Sequence, residues 1–405
     1  MRISTTQIFQ TGIDQIQRGQ AELNRTSMQL GRGERILSPS DDPSGATQVN
    51  QFERIIQATE QYQRNIDNTR PRLQQEESSL QGATDLLQRA RELVVTGNND
   101  SQTNETRAFL AGELRQLRDG LYDIANTRDP SGEYLFAGTR SLEQPFQQDG
   151  NGVVRYEGAQ GTGSVREVEI SATRRLPVGD TGARVFMDIP ENDGRVGAEL
   201  TNREPGSTLV VERTGVVDSA ALDTQDYTIT FQPGADGLDY VIEDEGGAVI
   251  QTAPYVPGES IQFAGRSITL SGTPEVGDEV LSRSAEHRDV FETLDAIIEA
   301  LELGGATPDN RANLATATNT ALADLDAALG NFSDVRSEVG ARLRTFDQQE
   351  EMNEDRLVDL NSAVSEIRDL DYAEAISRFN QQQVALQAAQ QTYTQVNRLS
   401  LFDFL

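Results

Sequence analysis

Apolar residues recur along both ends of this chain at alternating steps of four and three, the spacing of a helix with one buried stripe. From Phe9 the positions Phe9, Ile13, Ile16, Gln20, Leu23, Ser27 and Leu30 follow that rhythm. They predict a coiled-coil seam with two polar interruptions. Gly31 and Gly33 are placed to end that helix. A second stripe runs through Val49, Phe52, Ile56, Thr59, Gln63 and Ile66, then Leu73, Leu80, Ala83, Leu87, Ala90 and Val94. At ~1.5 Å per residue it predicts a rod on the order of 70 Å long, with a kink expected at Pro71. A third carries Phe109, Leu110, Leu114, Leu117, Leu121 and Ile124, and "RDPSGEYLFAGT" then reads as a turn and short hairpin.

From about Leu142 to Ser282 the period changes to two. Tyr227, Ile229 and Phe231 share one strand face, and Leu238, Tyr240 and Ile242 repeat the pattern, as do Ile261 with Phe263 and Ile268 with Leu270. "PGADG", "EGG" and "FAGR" supply turns between strands. An all-β insertion of one or two subdomains is the expectation. Helical spacing resumes near Glu286, and Val339, Leu343, Phe346, Glu350, Asn353, Leu357, Leu360, Val364 and Ile367 keep strict steps. "DLDYAEA" interrupts this run, and a last helix places Ile376, Phe379, Leu386, Ala389, Tyr393 and Val396 on one side before the apolar ending "LSLFDFL".

The sharpest interruption is "RILSPSDDPSGATQV". Pro39 disfavours helix at Ser38, Asp42 is placed to cap a helix N-terminus, and Pro43 suits a first helical position, where its missing N–H would have had no partner. Heptads at both ends and strands between predict a mainly α, coiled-coil or helical-bundle rod formed by paired N- and C-terminal segments, with an inserted all-β domain at its far end. The terminal stripes are short of large apolar residues. They should be marginal in an isolated monomer and completed by neighbouring subunits.

Composition narrows the partners. Among 405 residues, 36% are hydrophobic and 6% aromatic, with no Trp, which suits an extended helical protein with a large surface. Asp and Glu number 65 against 35 basic residues, all arginine, for a net charge of -30. Nucleic acid and anionic membranes are therefore poor partners. The absence of cysteine excludes disulfides, thiolate metal sites and a cysteine nucleophile. No stretch has the length of a membrane span, and "MRISTTQIFQTGIDQIQRG" lacks the apolar core of a secretory signal, so any export would take another route.

Catalytic and metal chemistry find little support. His287 is the single histidine, and a surface or hinge position is the expected reading for it. Glu243–Glu245 and the pair Asp236 and Asp239 offer oxygen ligands without the spacing of a calcium loop, so solvated turns are expected. Glu350, Glu351, Glu354 and Asp355 imitate a carboxylate pair among polar neighbours that would not raise a pKa. Gly158, Gly161 and Gly163 match no phosphate-binding fingerprint, and a chain without lysine has no P-loop lysine. No cofactor or metal is expected.

Several stretches, in order, resemble the flagellin superfamily, and within it the proteins of the hook–filament junction. These are "MRISTTQIFQ", "LGRGERILSPSDDPSGATQV", "GEYLFAGT", "DLDYAEAISRFNQQQVALQAAQQTYTQV" and "LSLFDFL". The resemblance implies a structural, non-enzymatic bacterial axial protein. It would be secreted through the flagellar type III apparatus and assembled as a ring between hook and filament. It divides the chain into inner-tube helices at 1–38 and 370–405, rod segments at 39–141 and 285–369, and an inserted β domain at 142–284. Subunit contacts would come from Phe9, Ile13, Ile16, Leu23, Leu30, Ile376, Phe379, Leu386, Tyr393, Val396, Phe402 and Leu405. Pro39, Asp41, Asp42 and Pro43 would form a signature turn between layers. Implied partners are copies of the chain itself, hook-associated protein 1 on the hook side, flagellin or a further hook-associated protein on the filament side, and an export chaperone on the C-terminal segment. The alternatives are a filament flagellin with the same fold and, more remotely, a flagellin-like protein with an enzymatic β insertion.

Overall fold

A computed structural model describes residues 5–402 apart from Asp100 and Asp236, without the side chains of residues 5, 6, 8, 9 and 396–402. Leu405 and Phe404 thus lie outside the described residues, as do Asp236 and the side chains of Phe9, Val396 and Phe402. The chain divides into two compact units, one of residues 1–64 and 348–405 and one of residues 65–347.

In the first unit, α1 (Thr5–Arg32) pairs with α6 (Tyr372–Phe402). The unit also holds the start of α2 (Pro43–Gly97) and the end of α5 (Pro308–Arg368). Val49 and Thr59 of α2 are buried there, as are Asn353 and Val364 of α5.

The second unit is built on heptads. Ile66, Leu73, Leu80, Leu87 and Val94 of α2 each stand seven residues apart, as do Leu325, Phe332, Val339 and Phe346 of α5, and all are buried in one core. A strict seven-residue repeat keeps one stripe on one side of each helix, as the sequence spacing predicts. The helix α2 runs through Pro71 as one assigned element. Leu114 and Leu121 of α3 (Asn104–Ala125) join this core, with Phe291, Leu294, Ile297 and Leu301 of α4 (Val290–Leu303).

The β insertion has two parts with separate cores. The hairpins β1–β2 (Phe146–Gln148, Val154–Tyr156) and β3–β4 (Glu167–Ser171, Arg174–Pro177) and a π turn at Ala183–Met187 pack on the helices. Strands β5 (Ile189–Pro190) and β14 (His287–Arg288) then pair as a neck. Beyond them, β6 (Val196–Asn202), β8 (Tyr227–Pro233), β9 (Leu238–Asp244), β10 (Val249–Pro254) and β13 (Glu279–Ser284) make a sheet in the order β10-β9-β8-β13-β6. A second sheet has the order β11-β12-β7 from β7 (Val210–Val216), β11 (Ser260–Phe263) and β12 (Arg266–Ser271). Tyr227, Ile229, Phe231, Ile261, Phe263, Ile268 and Leu270 all lie in the core between them, so in these strands the alternation read from the sequence is the burial pattern; in β9 it is not, since Tyr240, Val241 and Ile242 are buried in succession and Leu238 is only half-buried. Arg266 is wholly buried, bonded to the carbonyls of Ser282, Asp223 and Gln225 and stacked over Tyr227.

Two polar features hold the second unit together. The buried Arg72 of α2 donates to Asp129 (2.6 Å) and to the carbonyls of Tyr134 (2.8 Å) and Leu135 (3.2 Å), which anchors the "GEYLFAGT" stretch and leaves Phe136 in the core. Asp180 is buried and accepts two bonds from Arg342 (2.8 and 3.1 Å), while its backbone N–H donates to Glu76 at 2.9 Å. Glu76 has no guanidinium within bonding distance among the described residues. Burial, and then the neighbouring Asp180 charge, push its carboxyl up to about 8.

Candidate functional site: the paired termini and their linker

Among the described residues, the α1–α6 pair contributes nothing to the large apolar cores. Tyr393 lies over Gly12 and Leu386 over Gly19, Thr26 donates to Gln382 at 2.8 Å, and Tyr372 covers Gly33. Gly12, Gly19, Thr26 and Gly33 stand seven apart, as do Tyr372, Phe379, Leu386 and Tyr393, so one helix presents holes and the other knobs. Ile16, Leu23 and Leu30 are half-buried beside the holes, and Phe379, Leu386 and Tyr393 are half-buried on α6.

This shifts the seam from the sequence reading. Gln20 and Ser27, read there as polar interruptions, are exposed, and Gly12, Gly19 and Thr26 take the facing positions. A hydrophobicity pattern gives glycine no weight, yet a small residue leaves room for the side chain that faces it. Ile13 on α1 and Ile376 on α6 consequently face away from the pair, 41% and 50% exposed. A Cβ at Gly19 would sit 3.5 Å from Leu386, an ordinary contact. Gly19→Ala should therefore stabilise the helix pair by up to ~1 kcal/mol through helix propensity alone. Protease resistance of the N-terminal segment would rise; a fall would mean that the helices meet more closely here.

Both chain breaks dock on one another. The Arg35 N–H donates to the Arg368 carbonyl (2.7 Å) and the Leu370 N–H to that of Gly33 (2.9 Å). The Arg35 guanidinium donates to the Ile367 carbonyl at the end of α5 (2.7 Å), satisfying an acceptor that helix geometry leaves open. Gly33 ends α1 at a φ of +72°, a conformation costly for any other common residue. The two linkers thus form one crossing.

Within it, Pro39 sits in the turn and the two aspartates divide the work. Asp41 Oδ2 accepts from the N–H groups of Leu37 and Ser38, both at 3.0 Å, and its other oxygen meets Arg25 at 2.5 Å. Slight burial opposes ionisation, but those amides, Ser38 and Arg25 hold the carboxyl below its ordinary value. Asp42 Oδ1 accepts from the Gly45 N–H (2.9 Å) and the Ser44 hydroxyl (2.9 Å), capping α2, with Pro43 the first helical residue. Its carboxyl is also held low, chiefly by the Gly45 amide and the Ser44 hydroxyl. Asp42→Ala should lower the thermal midpoint and Asp42→Ser should recover most of the loss, since serine can cap in the same way. Equal losses in the two variants would show that the Arg35 contact, not the cap, matters.

The other candidates lie apart from this crossing. His287 is exposed on β14, 3.7 Å from Asp188. Asp244 Oδ1 closes its own turn by accepting from Gly246 and Ala248. Glu351, Glu354 and Asp355 are exposed on α5, and Glu350 accepts from Gln63. Among the described residues no cluster of three metal-ligating side chains occurs, and no helix is long and apolar enough to cross a membrane.

Comparison with known proteins places these elements. Residues 3–141 match the bacterial flagellin N-terminal helical region and residues 322–405 the C-terminal helical region. The crystal structure of flagellar hook-associated protein 3 from Legionella pneumophila superposes with a TM-score of 0.74 at 30% identity, covering 79% of this chain and 98% of that one. The chain belongs to the flagellar hook-associated protein 3 family. Xanthomonas campestris FlgL, also 30% identical, aligns over 78% of this chain and 99% of its own with a TM-score of 0.71. The Escherichia coli K12 flagellar hook-associated protein 3 is 25% identical over 404 residues, covering 100% of this chain and 99% of the relative. Family membership agrees with the mainly helical architecture, in which flagellin-like N- and C-terminal regions flank a β-rich middle. Sequence reasoning missed the glycine holes; their seven-residue spacing was the signal available to find them.

Proposed function

We propose that this chain is a structural, non-catalytic subunit of the bacterial flagellum that forms the junction ring between hook and filament and on which flagellin assembles. Family membership supports the place of action, and the first unit supplies the physical reason for assembly. Ile13, Met28, Met352, Val358, Ile376 and Val384 are large apolar side chains, 41% to 69% exposed, on α1, α5 and α6. Neighbouring copies of the chain would cover these side chains laterally, with hook-associated protein 1 below and flagellin or another hook-associated protein above. Ile13, Ile16, Leu23, Leu30, Ile376, Phe379, Leu386 and Tyr393 belong to this assembly surface, to which Phe9, Val396, Phe402 and Leu405 are assigned by sequence. The turn of Pro39, Asp41, Asp42 and Pro43 separates the terminal helix from the next layer. Before export by the type III route, a chaperone would hold the C-terminal segment.

Deletion of the gene tests the reading by electron microscopy of the cells and assay of the medium. Bare hooks with unpolymerised flagellin outside are the expected result. Hooks without filaments and no other flagellin in the medium would make this chain the filament subunit, and intact filaments would overturn the junction role. In a complemented strain, Ile376→Arg should leave the folded, secreted chain within ~0.5 kcal/mol of its original stability, as expected of an exposed site, yet abolish filament growth. Normal swimming with Ile376→Arg would remove that residue from the assembly surface.

A further inference from the structure

The β sandwich of residues 196–284 and the helical body it joins have separate hydrophobic cores. They are linked through the neck, where buried Glu191 accepts from Arg283 at 2.5 Å and from the Glu286 N–H at 3.1 Å. Arg288 lies 3.3 Å from Glu191 and 3.6 Å from Asp324 of α5. Past the neck, the sandwich faces α4 and α5 across two clefts of about 450 and 260 Å³. The hydrogen bond that spans this boundary among the described residues runs from Asn319 Nδ2 to the Val211 carbonyl at 3.2 Å.

The smaller cleft contains a guanidinium without a hydrogen bond. Arg203, just after β6, has all three guanidinium nitrogens shielded from solvent and without a hydrogen bond. On the opposite wall, the Thr316 hydroxyl has no hydrogen bond, and the Asp324 oxygen that lacks one is held only by the 3.6 Å ion pair with Arg288. Guanidinium nitrogens shielded from solvent without hydrogen bonds are costly, and native interiors leave few such groups. Asp278, near Arg203 within the sandwich, already accepts from Glu204, Ser207 and Glu275 with its two oxygens. Asp309 in the first turn of α5 is close enough for its charge to favour the guanidinium, and it makes no side-chain hydrogen bond among the described residues.

We propose that the sandwich pivots about the neck between two poses, the one seen here and a second in which the small cleft closes and Arg203 pairs with Asp309. Each pose has a contact the other lacks, as a two-state element requires: the Asn319–Val211 bond in the first and the Arg203–Asp309 ion pair in the second. The ladder of β5 and β14 is the short segment that absorbs the turn.

The absence of cysteine makes the test direct. Spin labels on full-length Gln232→Cys/Glu299→Cys, one on the sandwich and one on α4, report the distance across the boundary. Gln232→Cys/Glu259→Cys, within the sandwich, is the control. Two distance populations are expected across the boundary and one in the control. Adding Arg203→Met should abolish the second population, and Asp309→Asn should do the same without altering the sandwich itself. A single narrow distance in the parent pair, or a second population that survives both substitutions, would overturn the pivot.

Discussion

Glu76→Gln is expected to stabilise the folded chain above neutral pH and to flatten its stability against pH. The Glu76 carboxyl is driven by burial from 4.5 to about 8, so between those values the folded chain holds a proton that the unfolded chain has released. Stability contributed by this site is therefore full below pH 4.5, falls by roughly 1.4 kcal/mol per pH unit as pH rises, and levels off above pH 8. Glutamine keeps the shape and the acceptor for the Asp180 N–H but has no proton to lose. Its gain over the parent should be on the order of 3 kcal/mol near pH 7, growing toward pH 8 and vanishing near pH 4. Urea denaturation of both proteins from pH 4 to 9 measures the difference. A constant difference across that range, or a loss of stability in the variant at every pH, would show Glu76 ionised and acting as the partner of Arg72 and Arg342.

Phe186→Ala should cost about 3–5 kcal/mol, the range for emptying a buried aromatic site. Phe186 lies in the π turn, with ring centroids 5.2 Å from Phe136, 5.5 Å from Phe146, 6.3 Å from Phe291 and 5.4 Å from Phe332. These five rings come from the anchored "GEYLFAGT" stretch, β1, the π turn, α4 and α5. Removing the central one leaves a cavity where all of these segments meet. Phe186→Leu, which refills most of that volume, should recover the larger part of the loss. Thermal unfolding and limited proteolysis of residues 140–190 would read both effects, and a loss under ~1 kcal/mol for Phe186→Ala would mean that the hairpins are held elsewhere.

Much of this fold is local and was legible in the chain. The heptads of α2 and α5 are their buried stripes because a seven-residue repeat can point only one way on a helix. Asp42 and Pro43 start α2 because capping depends on the next three residues alone. Tyr227, Ile229 and Phe231 are buried together because a strand's period is two. The crossing of the two linkers was legible only in part: the breaks could be read in the sequence, whereas the bonds of Arg35 to Arg368 and Ile367 join residues more than 300 positions apart.

What the tertiary structure decided is where partners from distant parts of the chain set the outcome. The terminal seam runs through Gly12, Gly19 and Thr26 instead of the nearby large apolar residues, since a hole is defined by the knob opposite it. Glu76 and Arg266, polar by composition, are buried because Asp180, Ser282, Asp223 and Gln225 come to them from elsewhere. The β insertion splits in two because the buried side chains of its first hairpins join the helical core, while those of the later strands face one another between two sheets. Periodicity along one segment records which face will be buried; the identity of what covers that face is a property of two segments, and only folding brings them together.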